Sequence, residues 1–91
     1  MDDRIIIWKT PTCTRCPGVI RQLQQHELKE GEDFRVEDLT TPENAENLRY
    51  FTEDLSIKQV PIVEYKNHLA IGGMYGEVMG FIKQYKTEHA R

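Results

Sequence analysis

Ninety-one residues, 38% hydrophobic and 30% charged, suit one self-supporting core and leave no room for a second, so residues 1–91 are read as a single domain. Twelve basic against fifteen acidic residues give a net charge of −3, which argues against the basic stripe of a nucleic-acid-binding surface. The longest apolar run, Ile5-Ile6-Ile7-Trp8, is far short of the ~20 residues of a membrane span, and Met1-Asp2-Asp3-Arg4 opens no signal peptide. A cytoplasmic protein with no membrane or nucleic-acid partner is expected.

In chain order, Arg4-Ile5-Ile6-Ile7-Trp8 is β-branched and aromatic without polar alternation, the pattern of a strand covered on both faces. Lys9-Thr10-Pro11-Thr12 breaks it. From Cys16 onward Val19, Ile20 and Leu23 fall at helical spacing, with Pro17 in the first turn, and the spacing predicts a helix that ends near Glu30-Gly31, Gly31 being its left-handed cap. Phe34-Arg35-Val36-Glu37 alternates as a short strand. Thr41-Pro42-Glu43 reads as cap, first-position proline and acidic first turn of a second helix, carried by Ala45, Leu48 and Phe51 to about Asp54. Of the adjacent Tyr50 and Phe51, one should face solvent and the other the core. Strands over 60–65 and 68–71 flank Lys66-Asn67 as a hairpin, Gly72-Gly73 stops the last strand, and Val78, Phe81, Ile82 and Tyr85 mark a final helix. The order is β-α-β-α-β-β-α, with the first two strands parallel and the hairpin antiparallel.

The two cysteines of the chain, Cys13 and Cys16, stand where the first strand pattern gives way to the first helix. Cys-x-x-Cys spacing alone serves half of a zinc site, a cluster ligand pair or a redox dithiol. A zinc site needs two further ligands, and His26, His68 and His89 show no paired spacing, which leaves zinc only as a site shared between two copies. At a helix N-terminus, unpaired N–H groups and the positive end of the helix dipole stabilise a thiolate. Cys13, at the end of the loop, is therefore expected to attack, and Cys16, one turn further in and more shielded, to resolve the mixed disulfide. Arg15 places a positive charge beside the pair. Trp8 is expected to pack near the site rather than to act in its chemistry.

Strand, Thr12-Cys13-Thr14-Arg15-Cys16-Pro17, helix, strand, helix, Val60-Pro61, hairpin, Gly72-Gly73, helix: taken together, these features resemble the glutaredoxins, and most of all the small NrdH-type redoxins, over nearly the whole chain. The resemblance implies an α/β, thioredoxin-like βαβαββα fold, a four-stranded mixed sheet with helices on both faces, and a dithiol thiol–disulfide oxidoreductase with a redox-active Cys13–Cys16 disulfide. It also implies that Pro61 is a cis-proline facing the dithiol, that Val60 presents backbone groups to a substrate chain, and that Thr12, Thr14, Arg15, Gln59, Gly72 and Gly73 complete the substrate contacts. No metal and no bound cofactor are expected. The partners implied are a disulfide-containing protein such as ribonucleotide reductase, and thioredoxin reductase or glutathione as electron source, with the chain acting as a monomer. Thr10 stands where the family commonly has Lys or Arg, Gln59 where it has Thr, Thr14-Arg15 where Pro-Tyr is familiar, and Met74-Tyr75-Gly76 precede the first acid, Glu77. These departures bear on glutathione contacts more than on the dithiol. Two other readings stand beside this one: a glutathione-dependent iron–sulfur or zinc protein, and a binding module in which the cysteines are incidental.

Overall fold

The computed structural model describes residues 4–89; Met1-Asp2-Asp3, read above as part of a segment that is no signal peptide, lies outside the described residues. The chain runs β1 (Ile5–Lys9), α1 (Cys16–Gln25), β2 (Phe34–Asp38), α2 (Ala45–Arg49), β3 (Ile62–Tyr65), β4 (His68–Ile71) and α3 (Tyr75–Glu88), the order expected from the sequence. The four strands form one sheet in the order β2-β1-β3-β4. β1 pairs parallel with β2, Ile7 opposite Val36, and antiparallel with β3, Ile7 opposite Val63.

The lack of alternation in β1 follows from its central place. Ile5 and Ile7 point into a core shared with Val19 and Leu23 of α1 and Val78, Ile82 and Tyr85 of α3, while Trp8 joins Leu39, Phe51, Ile57 and Ile62 in a second core. The sheet is thus covered on both faces, and each fully buried aliphatic side chain contributes roughly 1.5–3 kcal/mol. Phe51 packs edge-on against Trp8 with ring centroids 5.5 Å apart, while Tyr50 is half exposed. The expected division of that pair between core and solvent holds.

Three boundaries differ from the sequence reading. The first helix stops at Gln25, well before Gly31. Glu27 takes the left-handed conformation at φ 68°, its N–H donates to the Gln24 carbonyl, and the Leu28 N–H donates to the Leu23 carbonyl. This is a Schellman cap whose apolar clasp is Leu23 with Leu28, both buried. Burial of Leu28 ends the helix without a glycine; Gly31 serves the loop leading into β2, where its N–H donates to the Phe34 carbonyl at 2.7 Å.

The second helical segment is likewise not uniform: a 3₁₀ turn over Pro42–Asn44 leads into α2, and a π-helical turn over Tyr50–Asp54 follows it. Thr41 makes no side-chain cap. Its hydroxyl donates instead to the Asp38 carbonyl, which the buried Asn44 amide also engages. The third strand begins at Ile62 rather than at residue 60, because Val60 and Pro61 form a bend ahead of the ladder. Lys66 and Asn67 both have positive φ, the primed turn whose twist matches the strands it joins, which is how a Lys-Asn pair closes this hairpin. Among the described residues, no helix is long and apolar enough to cross a membrane.

Candidate active site

The loop after β1 turns back on itself, the Cys13 N–H donating to the Thr10 carbonyl at 3.1 Å, and delivers Cys13 to the start of α1. Cys13 and Cys16 form a disulfide with Cα atoms 5.6 Å apart. Cys16 is buried in the first turn of the helix, and Cys13 is only partly covered. The Cys16 backbone N–H donates to Cys13 Sγ at 3.1 Å. On reduction the same N–H, one of the four that an α-helix leaves without an internal partner, is placed to stabilise a thiolate on Cys13.

The Val60–Pro61 peptide bond is cis. Pro61 is buried, its carbonyl accepting from the Gly72 N–H at 2.9 Å, so the bend before β3 and the turn after β4 are tied together. Gly73, at φ +69°, presses on both: a Cβ built there would lie 2.9 Å from Val19 Cγ2 and 3.0 Å from Pro61 Cγ. Only a residue without a side chain brings this turn so close to the first turns of α1 and to the proline. Gly72, at φ +85°, is crowded by Gln59, whose Oε1 lies 2.6 Å from where a Cβ would stand. Arg15 reaches across from the residue before α1 and donates from one guanidinium nitrogen to the Gly72 carbonyl at 3.1 Å.

Of the residues expected at the site, Arg15, Gln59, Pro61, Gly72 and Gly73 therefore meet in one cluster at the N-terminal end of α1. Val60 is half-buried against the Trp8 core. Thr12 and Thr14 are exposed, and the Thr12 and Thr10 hydroxyls stand 3.5 Å apart. Trp8 is buried and donates from its indole N–H to Glu64 at 2.9 Å, a packing role. Lys9 pairs in register with Asp38. That carboxyl is held below its ordinary range first by the Thr40 hydroxyl and amide, and to a smaller degree by the Lys9 ammonium.

Gln22 and the Met74-Tyr75 pair were not expected as site residues. Gln22 is buried and donates from Nε2 to the Tyr75 carbonyl at 3.2 Å, fixing the start of α3 against α1. The signal for it was a polar residue three positions after Val19, on the buried stripe of the helix. Met74 and Tyr75 are 56% and 66% exposed, large apolar groups left at the surface of the groove that runs between α1 and the Gly72-Gly73 turn. Among the described residues no group of three or more His, Cys, Asp or Glu side chains is placed to hold a metal ion.

Solved structures share this fold. NrdH-redoxin from Escherichia coli superposes with a TM-score of 0.65 at 22% identity, over 85% of this chain and 92% of its own. The thioredoxin-like protein BC3987 gives a TM-score of 0.65 at 16% identity, covering 85% of this chain and 97% of that one. Glutaredoxin from Brucella melitensis gives a TM-score of 0.58 at 17% identity, over 93% of this chain and 84% of that one. The chain has the thioredoxin-like fold. No protein-family model and no curated relative matches its sequence. On this thioredoxin-like frame, a cysteine pair joined as a disulfide at a helix N-terminus supports thiol–disulfide redox chemistry.

Proposed function

We propose that the protein is a dithiol thiol–disulfide oxidoreductase that reduces disulfides of other molecules, with Cys13 as nucleophile and Cys16 as resolving thiol. The observation that carries this reading is the Cys16 N–H directed at Cys13 Sγ from the first turn of α1. In the reduced protein the Cys13 thiolate attacks one sulfur of a substrate disulfide, forming a mixed disulfide and releasing the first substrate thiolate. Cys16, deprotonated, then attacks Cys13 Sγ, the mixed disulfide breaks, and the second substrate thiolate leaves and takes up a proton. Two electrons have passed to the substrate, and Cys13–Cys16 is the oxidised product on the protein.

The cycle needs an external two-electron donor to reopen that disulfide. NrdH-redoxin from Escherichia coli is a glutaredoxin-like protein with a thioredoxin-like activity profile. With Thr10 in place of a basic residue before the motif, this favours thioredoxin reductase over glutathione as the donor here. Ribonucleotide reductase is the client we propose, on the resemblance of the sequence to the NrdH-type redoxins. The reading places the protein in the cytoplasm as a monomer.

Purified protein supplied with NADPH and thioredoxin reductase is expected to reduce insulin disulfides, and more slowly, or not at all, when glutathione and glutathione reductase replace them. Failure in both systems refutes the oxidoreductase reading; success with glutathione alone reverses the choice of donor.

A further inference from the structure

In the groove beside the dithiol, between Gly18 and Gln22 of α1 on one side and Gly73, Met74 and Tyr75 on the other, the lining side chain that carries a charge is Arg15. Fifteen acidic residues and a net charge of −3 make this a local reversal of sign. Among the described residues no ion pair takes up the guanidinium. Among the described residues its hydrogen bond is the one to the Gly72 carbonyl, an uncharged acceptor that fixes one arm of a rigid five-donor fork and leaves the other donors for a second acceptor. A carboxylate matches that fork geometrically and electrostatically. Arg15 also lies between the two cysteines in sequence, and its guanidinium is fixed on the turn whose Gly73 packs against Val19 and Pro61.

We propose that Arg15 is a specificity-determining residue that selects polypeptide disulfides with an acidic side chain next to the reacting cysteine. The carboxylate docks on the guanidinium, and the exposed Met74 and Tyr75 receive apolar residues flanking it. The inference rests on the dithiol chemistry proposed above and adds to it a substrate class. Arg15 also ties α1 to the Gly72-Gly73 turn, and a role in that tie alone predicts no dependence on substrate charge.

The test compares two peptide disulfides of one sequence, with Glu or Gln beside the cysteine, as oxidants of the reduced, desalted protein, followed by chromatography of the released peptide thiol. The Glu peptide is expected to react about fivefold faster at low ionic strength, the scale of one partly exposed charge pair, with the preference shrinking as salt is raised. Arg15→Ala brings the ratio to about one, Arg15→Lys keeps part of it, and Arg15→Glu inverts it, whatever the absolute rates. A ratio of one in the unaltered protein, or a preference that survives Arg15→Glu, overturns the proposal while leaving the dithiol reading intact. A preference seen for glutathione disulfide over its ester and absent from the peptide pair overturns the polypeptide assignment. If neither peptide oxidises the protein, the dithiol reading fails and the proposal falls with it.

Discussion

Replacing Gly73 with alanine tests whether the turn after β4 is held against the site by close packing. At φ +69° the new Cβ would stand 2.9 Å from Val19 Cγ2 and 3.0 and 3.2 Å from two carbons of the Pro61 ring. The ring cannot swing aside, so the turn must lift or the proline must shift. The left-handed conformation costs an alanine roughly 1–2 kcal/mol, and the crowding typically a further 1–3 kcal/mol. The stiffer unfolded chain returns about 0.4–1 kcal/mol. A net loss of about 1–4.5 kcal/mol follows, which for a chain of this size lowers the melting temperature by roughly 5 °C or more. Gly80→Ala is the matched control: Gly80 lies inside α3 with nothing within 4 Å of its added Cβ. There the same substitution should stabilise by about 0.5–1 kcal/mol. Urea denaturation of both oxidised variants, at unchanged m-value, reads the two signs. A Gly73→Ala protein within about 0.5 kcal/mol of the parent would refute the packing argument, since that is the scatter of a surface substitution.

Cys16→Ser is expected to accumulate a mixed disulfide through Cys13 when mixed with a disulfide substrate, visible as a mass increase that dithiothreitol removes, whereas Cys13→Ser should neither trap nor turn over. Phe51→Ala, which removes the ring packed edge-on against buried Trp8, should cost about 3–5 kcal/mol in urea denaturation and alter the fluorescence of Trp8, the one tryptophan of the chain. Glu88 accepts from the Tyr65 hydroxyl at 2.8 Å and from the Lys66 ammonium. These bonds, that of Lys66 first, hold its carboxyl below the ordinary value of 4.5. A depressed folded pKa means the unfolded chain binds the proton more readily, so the stabilisation is complete above pH 4.5 and is lost as pH falls through the lower folded value. The stability difference between the parent and Glu88→Gln should therefore be flat near neutrality and shrink through that acid window in denaturation curves taken at a series of pH values.

The parts of the fold legible in the sequence are those in which one residue's own preference and the tertiary contacts agree. β1 could be read from Ile5-Ile6-Ile7-Trp8 because burial on both sheet faces leaves no polar alternation, and α3 from its apolar stripe despite two glycines. The end of α1 was misplaced because the stop signal is tertiary: Leu28 folding back on Leu23 ends the helix, and Glu27 accepts a positive φ that its own side chain disfavours. The change of pitch from 3₁₀ to α to π across residues 42–54 has no marker in the apolar spacing either, since Phe51 reaches the core in each case. At the site, the cysteines and the Val-Pro pair were legible as motifs. The grip of Arg15 on the Gly72 carbonyl, and of Gln22 on that of Tyr75, joins residues 57 and 53 positions apart, a pairing no local pattern announces.

The proposed division of labour between the two cysteines follows from an asymmetry that their shared spacing hides. Cys16 is 3% exposed, so a substrate sulfur approaching in line with its thiolate would have to displace the first turn of α1, whereas Cys13 remains partly open at the end of the loop. Electrostatics act in the same direction. The Cys16 N–H is aimed at Cys13 Sγ, and a negative charge just ahead of a helix interacts favourably with the positive end of its dipole. Burial keeps the Cys16 sulfur out of reach of a substrate, so it takes no part while Cys13 attacks. Its deprotonation is then needed only after the mixed disulfide has placed a target sulfur one helical turn away. Exchanging the two roles would require the shielded sulfur to carry the charge and the open one to wait, against both effects at once.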